Sequence, residues 1–119
     1  MKYLFLLHTA EDGVPEPGTP EADVMYAEWA DATAGMAEAG ILLECAPLHA
    51  ASLATTVRVR GGETLLTDGP AAEIREQVGG YTLVECADLD DALKWAATLP
   101  AARGGSVEVR AVIDTSSVR

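Results

Sequence analysis

Residues 3–7, Tyr-Leu-Phe-Leu-Leu, form a short, continuous apolar run that is typical of a strand buried on both sides. Successive side chains of a strand point to opposite faces, so Leu4 and Leu6 point away from the face taken by the odd-numbered residues. Leu83 and Val84 repeat this arrangement in a later strand. An antiparallel sheet with water on one face should instead alternate apolar and polar residues. Both faces of the predicted sheet therefore need to be covered.

Two helices are predicted from capping and periodicity. Thr19 caps the first, which begins at Pro20 because proline is tolerated at the first helical position, and Gly40 ends it with a left-handed cap. Asp88 caps the second helix, which stops before Pro100. Each helix carries one apolar stripe that can cover a sheet. In the first helix the stripe recurs at steps of four and three: Met25, Trp29, Ala32, Met36 and Ala39.

A β-hairpin is predicted at residues 55–67, where two β-rich runs flank a Gly-Gly pair, the signal of a two-residue turn. The Asp-Gly-Pro sequence at 68–70 closes the hairpin as a second turn. Residues 71–77 are expected to make a helical turn or two, which the Gly-Gly pair at 79–80 ends. A loop is expected at 101–105. The remaining strands are predicted at residues 41–46, 81–86 and 106–112.

The element order is that of a ferredoxin-like α+β layout, in which two helices cover one face of an antiparallel sheet. The simplest cover for the second face is an identical sheet from another copy of the chain. We therefore expect a homodimer built sheet against sheet. The domain is expected to occupy residues 1–112, followed by a tail at 113–119.

The charge balance argues against two classes of partner. The 119 residues contain eight Lys and Arg against nineteen Asp and Glu, which gives a formal net charge of −11. Such a field repels phosphate backbones and anionic lipid, so we expect neither nucleic-acid nor membrane-surface binding. The same charge gives solubility, and it favours a basic protein as partner.

The cysteines and the first residues bear on location. Cys45 and Cys86 are far apart in sequence and lack metal-ligand spacing, which favours two buried thiols. The opening apolar run turns polar at His8 and Thr9, and no stretch approaches the roughly 18 apolar residues of a membrane span. The sequence predicts a cytoplasmic, reduced protein with no metal and no cofactor.

Ordered motifs extend over most of the chain: Thr55–Arg60, residues 67–70, Glu73, residues 76–77, 79–81, 92–96 and 104–110. In these motifs the chain resembles the YCII-related family, and within it the DGPF-domain branch, from residue 1 to about residue 112. The resemblance implies a dimeric α-β barrel with a pocket for a small molecule near the sheet. Members are often encoded beside, or fused with, extracytoplasmic-function sigma factors, which implies a regulatory association.

The chain departs from the family pattern in two respects. Ala71 stands where the DGPF branch usually has phenylalanine after Asp-Gly-Pro, so a ring that would line the pocket or the dimer seam is missing. The His-Asp pair proposed as catalytic in better-studied members has no counterpart here that can be aligned residue by residue. The resemblance therefore transfers no catalytic mechanism.

Three residues are candidates for acid/base catalysis. Asp68 can act as a general base if burial raises its pKa, or it can accept backbone N–H groups of its own turn. His8 ends the first strand on the face of Leu4 and Leu6, where it suits proton transfer near neutral pH or bonds a loop carbonyl. His49 precedes the hairpin and either reaches over a pocket or lies on the surface. Asp68 with one of the histidines is the predicted acid/base pair.

Four further residues are candidates for binding a substrate. Glu73 can share a proton with Asp68 or bind a cation, or else it balances a nearby arginine. Arg58 can hold a substrate carboxylate through two hydrogen bonds, or else it pairs with a glutamate across the hairpin. Tyr81 and Ser52 complete the set as hydrogen-bonding residues that line the pocket.

Two functions from different classes follow. The first is a small-molecule pocket protein that performs cofactor-independent acid/base chemistry on an undefined substrate. The second is a non-catalytic dimeric interaction module that binds a regulatory protein such as a sigma factor. An enzyme should hold a histidine or carboxylate in a concave pocket, whereas a module should expose an apolar patch outside the dimer seam.

Overall fold

A computed structural model describes residues 1–10 and 14–116. Residues 11–18, whose glycines and prolines predict a loop, and the predicted tail at 113–119 therefore lie partly outside the described residues. The helices are α1 Pro20–Glu38, α2 Leu89–Ala96 and α3 Ala101–Gly104. The strands are β1 Lys2–Ala10, β2 Leu42–Pro47, β3 Thr55–Arg60, β4 Glu63–Asp68, β5 Glu76–Glu85 and β6 Ser106–Ala111.

Four of the strands form one antiparallel sheet in the order β2-β5-β1-β6, and β3 and β4 form a separate two-stranded sheet. Without that hairpin the order of the main elements is βαββαβ, with the first and third of the four strands in the centre of the sheet. This is the ferredoxin-like arrangement with an inserted hairpin. The predicted α+β fold class is confirmed.

The core lies between the sheet and the helices. Tyr3, Phe5 and Leu7 of β1 are buried there, and Phe5 and Val84 are inaccessible to solvent. Met36 of α1 and Leu99, just after α2, pack into the same cluster. Full burial of such a side chain stabilises a fold by about 1.5–3 kcal/mol, so this layer supplies most of the driving force for folding.

The opposite, outer face of the sheet is apolar only at its centre. Leu4 pairs with Leu83 across β1 and β5, and all three of Leu4, Leu6 and Leu83 are half-buried. The edge strand β6 places Glu108 and Arg110 on this face, opposite Leu6 and Leu4. The outer face is therefore an apolar centre with polar margins, a narrower apolar surface than β1 alone indicates.

The helix ends agree with the sequence analysis. The Thr19 hydroxyl accepts a hydrogen bond of 3.2 Å from the Ala22 amide, and Gly40 has a φ of +76° just after α1. The Asp88 carboxylate accepts a bond of 2.9 Å from the Asp91 amide at the start of α2. These groups satisfy backbone donors that the first turn of a helix leaves without partners.

The prediction for residues 71–80 is wrong. Residues 71–75 are not helical, and β5 begins at Glu76 and continues through both glycines. A β-carbon on Gly80 would lie 3.1 Å from the Ala46 carbonyl oxygen, and one on Gly79 would lie 2.8 Å from the Thr9 hydroxyl oxygen. The glycines therefore permit the close approach of neighbouring strands where the β1–β5 register shifts, and they do not end an element. The loop expected at 101–105 also contains the short helix α3.

Candidate functional site

A large hollow lies between β1 and α1. It is an open cleft of about 720 Å³ bordered by the end of β1, the first turns of α1, the segment after β2 and the residues around α3. Leu7 forms part of its floor, and Met25 and Trp29 line it one turn apart on α1. Positions four apart lie on the same side of a helix, so the apolar stripe of α1 serves both the core and the cleft.

Four polar side chains stand among the mainly apolar walls of the cleft: Thr9, Tyr26, Glu28 and His49. A hydroxyl, a phenol, a carboxylate and an imidazole supply both hydrogen-bond donors and hydrogen-bond acceptors. Small-molecule sites are usually largely apolar hollows of roughly 300–1,000 Å³ with a few such groups. The composition and the size of the cleft suit an organic molecule with one or two polar groups.

The segment that carries His49 separates this cleft from a second hollow of about 320 Å³. His49 lines both hollows, as do Leu48 and Leu53. The segment is tied to the sheet by the Leu48 amide, which donates a hydrogen bond of 2.9 Å to the Gly79 carbonyl. The segment then makes a 3₁₀ turn at Ala51–Leu53. His49 is therefore an exposed side chain on a short, anchored wall between two hollows.

His8 lies on the outer face of the sheet and is not one of the described residues that line the cleft. Its Nε2 atom is 3.0 Å from Oε1 of Glu108, and the imidazole is mostly shielded from solvent. Arg110 lies on the other side of that carboxylate, with Nε 3.9 Å from Oε2. Glu108 thus stands between two basic groups at the β6 margin of the outer face.

Tyr81 lies on the same outer face, on the side of β2. Its hydroxyl donates a hydrogen bond of 2.8 Å to Oε1 of Glu44. This bond to a carboxylate is the main cause that raises the pKa of Tyr81, since it favours the protonated phenol. Leu6 lies between Tyr81 and Glu108 in the cross-strand register. The apolar centre of the outer face is therefore flanked by two carboxylates, each bonded to a residue that can donate a proton.

The comparison with protein families decides the membership of the chain. A family model described as the YCII-related domain matches residues 1–116. The chain belongs to the YCII-related family. A similar protein from Rhizobium meliloti (strain 1021), described only as uncharacterized, is 47% identical over 75 residues, which cover 61% of this chain and 60% of that protein. The matched segment thus spans less than two thirds of that protein, and neither description names a substrate.

Three of the site residues predicted for this YCII-related chain lie in or just after the hairpin: Arg58, Asp68 and Glu73. Asp68 is the last residue of β4, opposite Thr55, and it is exposed. Gly69 joins the end of the hairpin to its beginning: its amide donates to the Ala54 carbonyl, and its carbonyl accepts from the Thr56 hydroxyl at 2.8 Å. That the Asp68 side chain accepts backbone N–H groups of its own turn stays a prediction.

The other binding candidates are placed without a shared centre. Arg58 donates a hydrogen bond of 3.4 Å from Nη2 to the Ala71 carbonyl. Glu73 lies exposed in the connection to β5, and Ser52 lies exposed in the 3₁₀ turn. The pairing of Asp68 with His8 or His49 stays a prediction. Pro70 lines the smaller hollow with His49, which brings the Asp68 turn to the neighbourhood of that histidine.

Sequence reasoning missed five polar residues that this YCII-related fold brings to the cleft or to the outer face of the sheet. Thr9, Tyr26 and Glu28 line the cleft, and Glu44 and Glu108 lie on the outer face. Glu28 adjoins the apolar stripe of α1, and this position was the available signal. Glu44 and Glu108 meet their partners only through strand pairing, so no local pattern marks them.

Two classes of site have no support in the described residues. Among residues 1–10 and 14–116, no group of three or more His, Cys, Asp and Glu side chains is arranged to hold a metal ion. Over the same residues, no helix has both the length and the apolar character needed to cross a bilayer.

Proposed function

We propose that this YCII-related chain binds a small, mainly apolar molecule in the cleft between β1 and α1. The observation that carries the proposal is the cleft itself, whose volume is about 720 Å³ and whose walls are mainly apolar. Apolar walls favour the transfer of an organic molecule out of water, and the few polar groups fix its orientation. The ligand class is an uncharged or weakly polar organic compound, since the acidic chain repels strongly anionic ones.

In this proposal His49 transfers a proton to or from the bound molecule. Imidazole is the side chain whose ordinary pKa lies closest to neutral, so it can accept a proton and return it without a cofactor. Glu28 and Tyr26 line the same cleft and supply an acceptor and a donor for orientation. Asp68 comes second to His49, because it adjoins the site only through the turn at Pro70.

We also propose that the chain is a DGPF-branch protein that forms a homodimer through the outer face of its sheet. The Asp68-Gly69-Pro70 turn supports the branch, although Ala71 departs from it. The charge distribution supports the dimer. The outer face carries four carboxylates against Lys2, Arg110 and the His8 imidazole, a smaller excess of negative charge than on α1, which carries five carboxylates and no basic residue. A second acidic copy is repelled least at the sheet. We place the protein in the cytoplasm, where its two free thiols stay reduced.

A non-catalytic interaction module is the second candidate. The observation in its favour is exposed apolar surface on the hairpin, which forms a two-stranded sheet separate from the four-stranded one. A regulatory partner such as a sigma factor would have to cover that surface. The two functions differ in ligand binding: a small-molecule protein binds its ligand in the cleft, whereas an interaction module needs no ligand there.

A neutral apolar fluorophore, N-phenyl-1-naphthylamine, tests the cleft directly. Ala50 lines both hollows, so Ala50→Trp should fill space and raise the dissociation constant of the dye about tenfold or more. Ala34 is exposed on α1 outside the cleft lining, and Ala34→Trp is the matched control, expected to change binding by less than about twofold. Equal binding by the two variants would count against the cleft as the site.

A further inference from the structure

The β3–β4 hairpin, residues 55–68, extends away from the rest of the chain and is called the hairpin arm below. The whole structure measures 49 × 47 × 20 Å and has a radius of gyration of 16.2 Å. A compact domain of this length has a radius of gyration of about 13.5 Å. The thickness of 20 Å fits one layer of helices on one sheet, so the excess lies in the plane of those layers. Because β3 and β4 pack mainly on each other and little on the other elements, the arm overhangs the body of the molecule.

The two faces of the arm differ in cover and in chemistry. On one face Thr56 and Arg58 are half-buried and donate hydrogen bonds to the carbonyls of Gly69 and Ala71. The other face has an uncovered apolar middle: Val57 and Val59 are each 60% exposed, and Leu66, directly opposite Val57, is 68% exposed. The same face carries Thr64 opposite Val59, and the Thr55–Asp68 pair at the base of the arm. The polar face is thus turned to the chain and the apolar face to solvent, the reverse of what an isolated domain requires.

The turn of the hairpin arm is well suited to its two strands, but no third strand in the described part of the chain completes its sheet. Gly61 and Gly62 have φ values of +58° and +80°, the conformation of a turn that matches the natural twist of two strands. An isolated two-stranded hairpin is marginally stable at best in water, and a third strand or another packing surface is needed. The exposed valines and leucine are the side chains to which such a surface would attach.

The distribution of charge indicates which protein can pack on the exposed valines and leucine of the arm. Residues 55–75 contain three arginines and three carboxylates, so the arm and the turn after it are neutral and the charge of −11 resides on the rest of the chain. A basic protein would be drawn to the carboxylates of α1 in preference to a neutral arm. A second copy of this acidic chain is repelled by the acidic parts of the molecule, so it can approach closely only where net charge is absent.

We propose that the hairpin arm packs its Val57, Val59 and Leu66 face against a second copy of the chain, beyond the edge of the sheet-to-sheet contact. The inference rests on the proposed homodimer and adds an interface to it. In a two-fold dimer each arm packs against the other subunit, so the contact is made twice. The exposed apolar surface of the hairpin then belongs to the dimer, which leaves the cleft free for its ligand.

Sedimentation equilibrium of the full chain tests the proposal with a matched pair of variants. Val57→Asp places a carboxylate in the contact and should raise the dimer dissociation constant about tenfold or more. Thr67→Asp makes the same kind of change on the other face of the arm, opposite Thr56, and should raise it less than about twofold. Equal effects of the two variants overturn the arm contact and leave the sheet-to-sheet dimer standing.

Hydrogen exchange of the wild-type chain gives a readout that does not depend on how the variants fold. The arm amides should be protected at concentrations where the dimer is populated and should lose protection on dilution to the monomer. Arm protection that is the same in dimer and monomer overturns the inference. A wild-type chain that stays monomeric at every concentration overturns both the dimer and the arm contact, without bearing on dye binding in the cleft.

Discussion

The Tyr81 hydroxyl and the Glu44 carboxylate are joined by a hydrogen bond of 2.8 Å that connects β5 to the edge strand β2. The two residues are 37 positions apart and lie on the outer face, at one margin of the apolar centre. The bond couples the ionisation of a phenol to a specific carboxylate. The bond lies at the β2 edge of the sheet, and the His8–Glu108 contact lies at the opposite, β6 edge.

Glu44→Gln should lower the pKa of Tyr81 toward its ordinary value. The carboxylate raises the pKa of Tyr81 because it accepts the phenol proton's hydrogen bond and repels a phenolate. A raised pKa in the folded state stabilises the fold below the pKa of the unfolded chain, and this contribution is lost as the pH rises through the folded value. The alkaline titration of tyrosinate absorbance, assigned with Tyr81→Phe, measures it. Glu85→Gln on the same strand is the control, and an unchanged Tyr81 titration in Glu44→Gln would refute the coupling.

Thr82→Val should stabilise the fold by about 1–2 kcal/mol, because the buried Thr82 hydroxyl has no hydrogen-bond partner among the described residues. Valine has nearly the same shape and removes the unpaired polar group. Thr33→Val is the matched control, since the buried Thr33 hydroxyl donates a bond of 2.6 Å to the Trp29 carbonyl, and it should give no stabilisation. Urea unfolding compares the two variants. A loss of stability in Thr82→Val would indicate that the hydroxyl has a partner.

Gly105→Ala should destabilise the fold by about 1–3 kcal/mol, whereas Gly104→Ala should be neutral or slightly stabilising. A β-carbon on Gly105 would overlap the His8 carbonyl oxygen where β6 begins beside β1, but one on Gly104 meets no atom within 4 Å. The displacement of β6 should also disturb the His8–Glu108 contact. Thermal unfolding measures the stability difference, and His8 ring resonances report the contact. Similar stabilities of the two alanine variants would contradict the close approach of the strands.

Local patterns were sufficient for the elements whose causes are local. The capping residues Thr19 and Asp88 mark the starts of α1 and α2, and the Gly-Gly turn marks the hairpin at its observed position. The alternation of β1 placed Phe5 on the face opposite to Leu4 and Leu6, and the structure then showed that the Phe5 face is the buried one. Each of these features depends on neighbours within a few residues, where propensity and periodicity act directly.

The errors arose where a residue type has two uses. Gly79 and Gly80 suit a break as well as a close approach between strands, and only the neighbouring strands of the sheet decide between them. The helical turn expected at 71–77 failed with them, because β5 begins at Glu76 to pair with Ala10 of β1. For His49 the sequence leaves open a position over a pocket or on the surface, and which hollows it lines depends on the path of the chain after β2.

The sequence by itself determined which residues of each strand share a face, because side-chain alternation is a property of the backbone. It therefore predicted a sheet whose centre is apolar on both sides, together with the family to which the chain belongs. Only the tertiary structure decided which polar side chains meet. His8 and Glu108 are 100 residues apart, and their contact depends on the pairing register of β1 and β6, which is fixed by packing across the whole sheet.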